Sequence, residues 1–138
     1  MSTHLKEKLE KIEETLVRLA EESAKGKPLL VEGKKDAQAV RDLGVTGVVL
    51  TLKTGGKNFL QTTTEIEELC KGEVILLLDF DRRGREGTNR LQRDLERAKI
   101  KANVKFWNEL HGLVGREVQS IESLTSYLKT LHEKTRQI

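Results

Sequence analysis

The run Val74-Ile75-Leu76-Leu77-Leu78, closed by Asp79-Phe80-Asp81, limits the folds open to this chain more than any other feature. Five consecutive apolar residues leave no polar face. A half-solvated strand would alternate, so this segment must be covered on both sides, as inner strands of parallel sheets are. Parallel neighbours are reached through crossover helices, and the flanking sequence supplies them. Leu29-Leu30-Val31 is a short apolar run ending at Glu32-Gly33. Residues 36–43 carry Ala37, Val40 and Leu43 on one helical face, and Gly44 closes that segment. Residues 47–52 form a second strand before Gly55-Gly56, and 64–70 suit a helix with Thr64 as its N-cap. Leu91, Leu95 and Ala98 mark a further helix, and Asn103-Val104-Lys105-Phe106-Trp107 is expected to be a fourth strand. Strands alternating with helices in this order predict an α/β fold: a parallel sheet of about four strands with helices on both faces.

Amphipathic segments flank this unit. Leu5, Leu9, Ile12, Leu16 and Leu19 recur at steps of four and three, ahead of Gly26 and Pro28. That stripe suits either a helix packed on its own domain or a dimerising coiled coil. Val118, Ile121, Leu124, Leu128 and Leu131 make a second stripe between about 117 and 133. The expected organisation is an N-terminal helix over 1–27, a core over 28–112 and a C-terminal helix packed on it over 113–138.

Composition narrows the classes of function. The single cysteine, Cys70, cannot form an internal bridge, and no zinc-type spacing exists. The Lys- and Glu-rich start lacks a signal-peptide core, and no run approaches the roughly 18 apolar residues of a membrane span. A soluble, cytoplasmic protein is expected. A net charge of +3 is modest, so the placement of charge is more informative than its total.

Chemistry in open parallel sheets gathers at the carboxyl ends of the strands. There the sequence sets Glu32, the pair Asp79 and Asp81, the basic loop containing Lys53 and Lys57, and the residues Asn108, Glu109 and His111. Two aspartates leaving one strand offer hard oxygen ligands that suit Mg²⁺. Alternatively, such an Asp simply caps the following helix. Arg82, Arg83 and Arg85 follow at once, with Lys34 and Lys35 beside Glu32. Guanidinium forks at this position suit phosphate. Arg90, Arg93 and Arg97 either extend that surface or pair with Asp94 and Glu96 along a solvated helix. Gly55 and Gly56 form either a phosphate-binding nest or a plain turn. Aromatic residues are few, so backbone recognition is expected over base stacking. Phe59 falls near the site, while Phe106 and Trp107 are expected in or beside the fourth strand. His111 either assists proton transfer or is structural.

The segment Leu29-Leu30-Val31-Glu32-Gly33-Lys34-Lys35-Asp36-Ala37 is followed by Val74 to Leu78 and then Asp79-Phe80-Asp81-Arg82-Arg83-Gly84-Arg85-Glu86-Gly87. Together they resemble the Toprim domain of topoisomerases, bacterial-type primases, recombination mediators and the ribonuclease that matures five-S ribosomal RNA. The resemblance spans about residues 28 to 107. It implies a compact sheet of about four parallel strands. By its own chemistry Glu32 either completes a second metal position or serves as general acid/base; the resemblance implies the acid/base role, with Mg²⁺ bound by Asp79 and Asp81. The only tyrosine, Tyr127, falls in the last helix, and no strand-passage gate or zinc module accompanies the core. A topoisomerase or primase is thereby disfavoured, and the chain looks like a small stand-alone Toprim protein nearest the small-nuclease branch. The expectation is a Mg²⁺-dependent phosphodiesterase, with Mn²⁺ as a substitute and RNA slightly favoured over DNA. The alternative is a non-catalytic nucleic-acid-binding module or a subunit docked on a larger processing assembly, and a third reading is a homodimer whose helices pair and present two sites to one duplex.

Overall fold

A computed structural model describes residues 2–52, 58–69 and 72–136. In chain order the elements are α1 (Ser2–Ala24), β1 (Leu29–Val31), α2 (Lys34–Asp42), β2 (Val49–Thr51), α3 (Phe59–Leu69), β3 (Glu73–Leu76), α4 (Arg82–Arg97), β4 (Lys101–Asn103), α5 (Lys105–Val114) and α6 (Ile121–Arg136). The strands form one parallel sheet in the order β2-β1-β3-β4. The apolar run that ends in Asp79-Phe80-Asp81 is therefore an inner strand, with β1 directly beside it.

Side-chain alternation along the strands divides the core in two. Leu29, Val31, Ile75 and Leu77 face a layer built from α1, α2, α5 and α6, where Ile12, Leu19, Val40, Leu110 and Leu124 are buried. Leu30, Val74, Leu76 and Leu78 face α3 and α4, against Ile66, Leu91 and Leu95. Each fully buried Leu or Ile contributes about 1.5–3 kcal/mol, so the five-residue run 74–78, which begins in β3 and continues past its end, anchors both layers. The stripe of α1 packs on α5 and α6 of the same chain. Of the two readings of that stripe, the structure shows the helix packed on its own domain.

Three elements differ from expectation. The segment read as a fourth strand divides: β4 ends at Asn103, and Phe106 and Trp107 belong to α5. The Asn103 carboxamide accepts from Lys105 N at 2.9 Å, and Asn108 N donates to Val104 O at 3.0 Å, which turns the chain into a helix at that point. Their β-favouring side chains yield to burial of Phe106, Trp107, Leu110 and Val114 along one helical face. Helix α3 begins at Phe59, ahead of the expected start at Thr64. Asn58 caps it: Gln61 N donates to Asn58 Oδ1 at 2.8 Å, and Asn58 N donates to Gln61 Oε1 at 2.9 Å. Thr64 is inside the helix, its hydroxyl donating to Leu60 O at 3.0 Å. The final helix starts at Ile121, after Ser120, whose hydroxyl accepts from Ser123 N at 3.1 Å.

Candidate metal centre and nucleic-acid interface

Glu32 is the first residue beyond β1, and Asp79 and Asp81 leave the end of β3. Because β1 and β3 are paired, the three carboxylates converge, and one oxygen from each lies within 4.8 Å of the others. Glu32 is buried, and the two aspartates are half-buried. Glu32 Oε2 accepts from Asp79 N at 3.3 Å, stitching the two strand ends together. Asp81 caps α4, its Oδ1 accepting from Gly84 N at 2.7 Å. It thus fills the capping role and belongs to the acidic cluster as well. Asp79 Oδ1 is shielded from solvent and has no hydrogen-bond partner among the described residues. Burial, then the carboxylates of Glu32 and Asp36, a hydrogen bond with Glu32 and finally Asp81 push the Asp79 carboxyl up to about 7. An unpartnered carboxylate oxygen facing two further carboxylates is the environment in which a hard divalent cation replaces a missing positive charge. The donor set fits such an ion.

Three residues hold this geometry without being part of it. Gly84 packs its Cα on the Asp79 peptide, so that an added Cβ would lie 1.9 Å from Asp79 O. The Trp107 indole N–H donates to Leu78 O at 3.0 Å and to Asp79 O at 3.2 Å, satisfying carbonyls that have left the ladder. Asp36 accepts from Gly33 N at 3.3 Å and from Glu122 N at 3.0 Å, tying the loop after Glu32 to the first turn of α6. Burial holds the Asp36 carboxyl above its ordinary range, against those two donors. Phe80, between the aspartates, turns into the core beside Trp107, and its N–H donates to Gln119 O at 2.7 Å.

The basic residues surround this edge unevenly. Arg82, Arg83 and Arg85 project from the first turn of α4, all exposed. Arg82 pairs with Glu86 at 3.0 Å. Arg85 Nη2 lies 3.1 Å from His111 Nε2, and because a guanidinium can only donate, that ring nitrogen accepts. Arg83 lines a cleft that also includes Glu32. Lys34 and Lys35 are exposed in the first turn of α2. Lys53, Lys57 and the Gly55-Gly56 loop lie outside the described residues. Arg90 is 3.9 Å from Asp94, a long pairing along the solvated helix. His111 stacks on Trp107 at 4.8 Å, and Glu109 pairs with Arg18 of α1 at 2.8 Å. Both residues, with Asn108, sit on α5, so the expected placement of this trio at a strand end is corrected.

Sequence reasoning gave no role at the site to Trp107, Gly84, Asp36 or Asn58. Signals existed for two of them. Asn58-x-x-Gln61 reads as a capping box, and a glycine three residues after a capping Asp suggests close backbone approach.

The Toprim family model matches residues 26–105, which contain all four strands and the whole acidic cluster. This chain belongs to the Toprim family. A UPF0292 protein of Methanosarcina acetivorans is 34% identical over 131 residues, covering 94% of this chain and 88% of the relative. A UPF0292 protein of Methanocaldococcus jannaschii is 37% identical over 123 residues, covering 88% of this chain and 93% of the relative. Among solved structures, a protein from Aquifex aeolicus superposes with a TM-score of 0.66 at 24% identity, over 80% of this chain and 94% of that one. That likeness concerns the fold. Toprim domains typically bind divalent metals, and membership together with the acidic cluster fits a metal-binding role related to nucleic acid. No helix among the described residues is long and apolar enough to cross a membrane.

Proposed function

We propose that this Toprim protein is a Mg²⁺-dependent phosphodiesterase acting on nucleic acid, with RNA as the first substrate class to test. The observation that carries this reading is the convergence of Glu32, Asp79 and Asp81 within 4.8 Å, with Asp79 Oδ1 buried and unpartnered among the described residues. Asp79 and Asp81 are the residues that would hold the ion, with Glu32 as a third ligand or a neighbour to it. The chemistry such an ion supplies when bound is charge neutralisation at a phosphate and a more acidic water. Glu32 takes a proton from the attacking water or returns one to the leaving oxygen. Arg82, Arg83 and Arg85, with Lys34 and Lys35, hold the neighbouring phosphates and offset charge that develops on the reacting one. Lys53 and Lys57 join that set by their place in the sequence. The Toprim unit proper is taken as 28–112, with α1 before it and the α6 region, 113–138, after it. The stripe of α1 is covered by α5 and α6, which supports a domain that acts without a zipper partner.

End-labelled structured RNA, single-stranded DNA and duplex DNA incubated with Mg²⁺ or Mn²⁺ test the proposal directly. Cutting should stop on chelation, and Glu32→Gln and Asp79→Asn should each lower the rate by about 100-fold or more. Binding that persists with no cutting in the wild type, unchanged by Glu32→Gln, would sink the enzymatic reading and leave a nucleic-acid-binding module.

A further inference from the structure

A cleft of about 410 Å³ opens beside the acidic cluster, and Glu32 lines both. Its volume lies in the range of roughly 300–1,000 Å³ typical of small-ligand sites. Leu52, Leu78 and Phe59 give it apolar surface, and Arg83 and Arg90 put cations at its walls. Phe59 and Arg90 are organised against each other, with the guanidinium carbon 4.4 Å from the ring centroid. The guanidinium lies over the ring, so the pair is already stacked and offers a base one outer planar face, of the ring or of the cation, on which to extend that stack.

Gly87 lies against two of the residues that line the cleft. It sits in the interior of α4, where glycine is unfavourable relative to alanine. A Cβ there would lie 3.3 Å from Leu78 Cδ1 and 3.7 Å from Phe59 Cζ, two residues that line the cleft. Backbone geometry does not require the glycine, since Gly87 is not among the residues with positive φ. Packing requires it instead: a methyl group would press on Leu78 and Phe59, and its absence lets Phe59 lie close against α4 beside Arg90.

We infer that this cleft takes the base of one unpaired nucleotide, stacked at Phe59 and Arg90, next to the phosphate served by Glu32, Asp79 and Asp81. The inference rests on the phosphodiester reading above and narrows its substrate. A base paired within a duplex is stacked on its neighbours and cannot enter the cleft while its phosphate lies at the cluster. The site therefore favours single strands, bulges or frayed ends. Stacking is tolerant of base identity, so the preference is for an unpaired base of any kind.

Fluorescence anisotropy with a labelled single-stranded oligonucleotide, and with the same strand carrying abasic positions, tests this in Ca²⁺. The wild type should bind the abasic strand about ten-fold more weakly. Phe59→Ala and Gly87→Ala should bind the intact strand about ten-fold more weakly and lose the distinction between the two strands. The comparison within the wild type does not depend on any variant folding, and melting curves check that both variants are folded. Equal affinity of the wild type for intact and abasic strands would overturn the inference. Mn²⁺ uptake, followed by electron paramagnetic resonance on the same samples, separates the two failures. Uptake with no preference for the intact strand removes only the base-binding cleft. Loss of uptake in the wild type removes the metal-dependent reading beneath it.

Discussion

The two ends of the parallel sheet treat charge in opposite ways. At the amino end, Lys27 lies between Glu22 and Glu73, at 2.5 Å and 3.4 Å, and Lys25 reaches Glu22 at 2.8 Å. The Asn103 carboxamide donates to Glu73 at 3.0 Å. Those ammonium groups hold the Glu22 carboxyl down to about 2. At the carboxyl end, three carboxylates crowd within 4.8 Å, and Asp79 is pushed up to about 7. The same sheet neutralises its acids at one end and sets them against each other at the other. Repulsion of that kind lowers stability unless a cation relieves it, which is the usual signature of a site shaped by a ligand.

The comparison is broken most severely by disturbing what holds the acidic end in place. Gly84→Ala drives a methyl group to 1.9 Å from the Asp79 carbonyl oxygen, an atom of the backbone that cannot swing aside. Either α4 or the end of β3 must move, at a cost of about 3 kcal/mol or more. Urea unfolding should show that loss, and Mn²⁺ uptake should fall with it because Asp79 and Asp81 no longer meet. Wild-type stability and uptake in this variant would mean that the close packing of α4 on Asp79 does not set the site.

Trp107→Phe is gentler. It keeps an aromatic ring in the core but removes the N–H that serves Leu78 O and Asp79 O. Leaving those buried carbonyls unsatisfied should cost about 1–3 kcal/mol. A loss in unfolding free energy together with weaker Mn²⁺ binding would show that the carbonyls and the acidic cluster are mechanically linked. A loss of stability with unchanged metal affinity would confine Trp107 to the core.

These two residues also show what the sequence could and could not carry. The unbroken apolar run from Val74 to Leu78 could only be an inner strand, and that fixed the position of Asp79 and Asp81 at its carboxyl end. Glu32 followed from the shorter run before it, since adjacent parallel strands deliver their ends to the same edge. Pattern was enough there because strand period and burial point the same way. Around Trp107 they conflict: Phe106 and Trp107 favour strands as residues, yet tertiary burial puts them in a helix. The Phe59 cleft was hidden for a different reason. It is assembled from the segments that follow β1, β2 and β3 and from α3 and α4, at large sequence separations, and Gly87 contributes by letting Leu78 and Phe59 pack close to α4.

Asp79→Asn sharpens the comparison through pH. In the folded protein Asp79 titrates at about 7, against an ordinary value of 3.8. Between those values the folded state binds more protons than the unfolded state, so stability falls as pH rises from about 4 to about 7. The group is only half-buried, so solvent screening limits the loss to the order of 1 kcal/mol. Asparagine abolishes this slope and should leave the metal-free protein at least as stable as wild type at pH 8. The increase in Tm that Mn²⁺ gives the wild type should vanish. A slope that survives the substitution would place the raised carboxyl elsewhere.

Glu22→Gln should have the smallest effect, and of opposite sign in pH. Glu22 titrates at about 2 when folded, against an ordinary 4.5, so its contribution is complete above 4.5 and is lost as pH falls towards 2. Replacing it should flatten only the acid limb of the stability profile, below the window in which Asp79 acts. Its partners Lys25 and Lys27 are solvent-accessible, so the difference should shrink further at high salt. The two substitutions together should add, because they lie at opposite ends of the sheet and share no partner. A double variant that departs from additivity would mean that the amino end senses the acids at the carboxyl end through the strands themselves. The contrast between the two ends would then be a single charge balance rather than two independent ones.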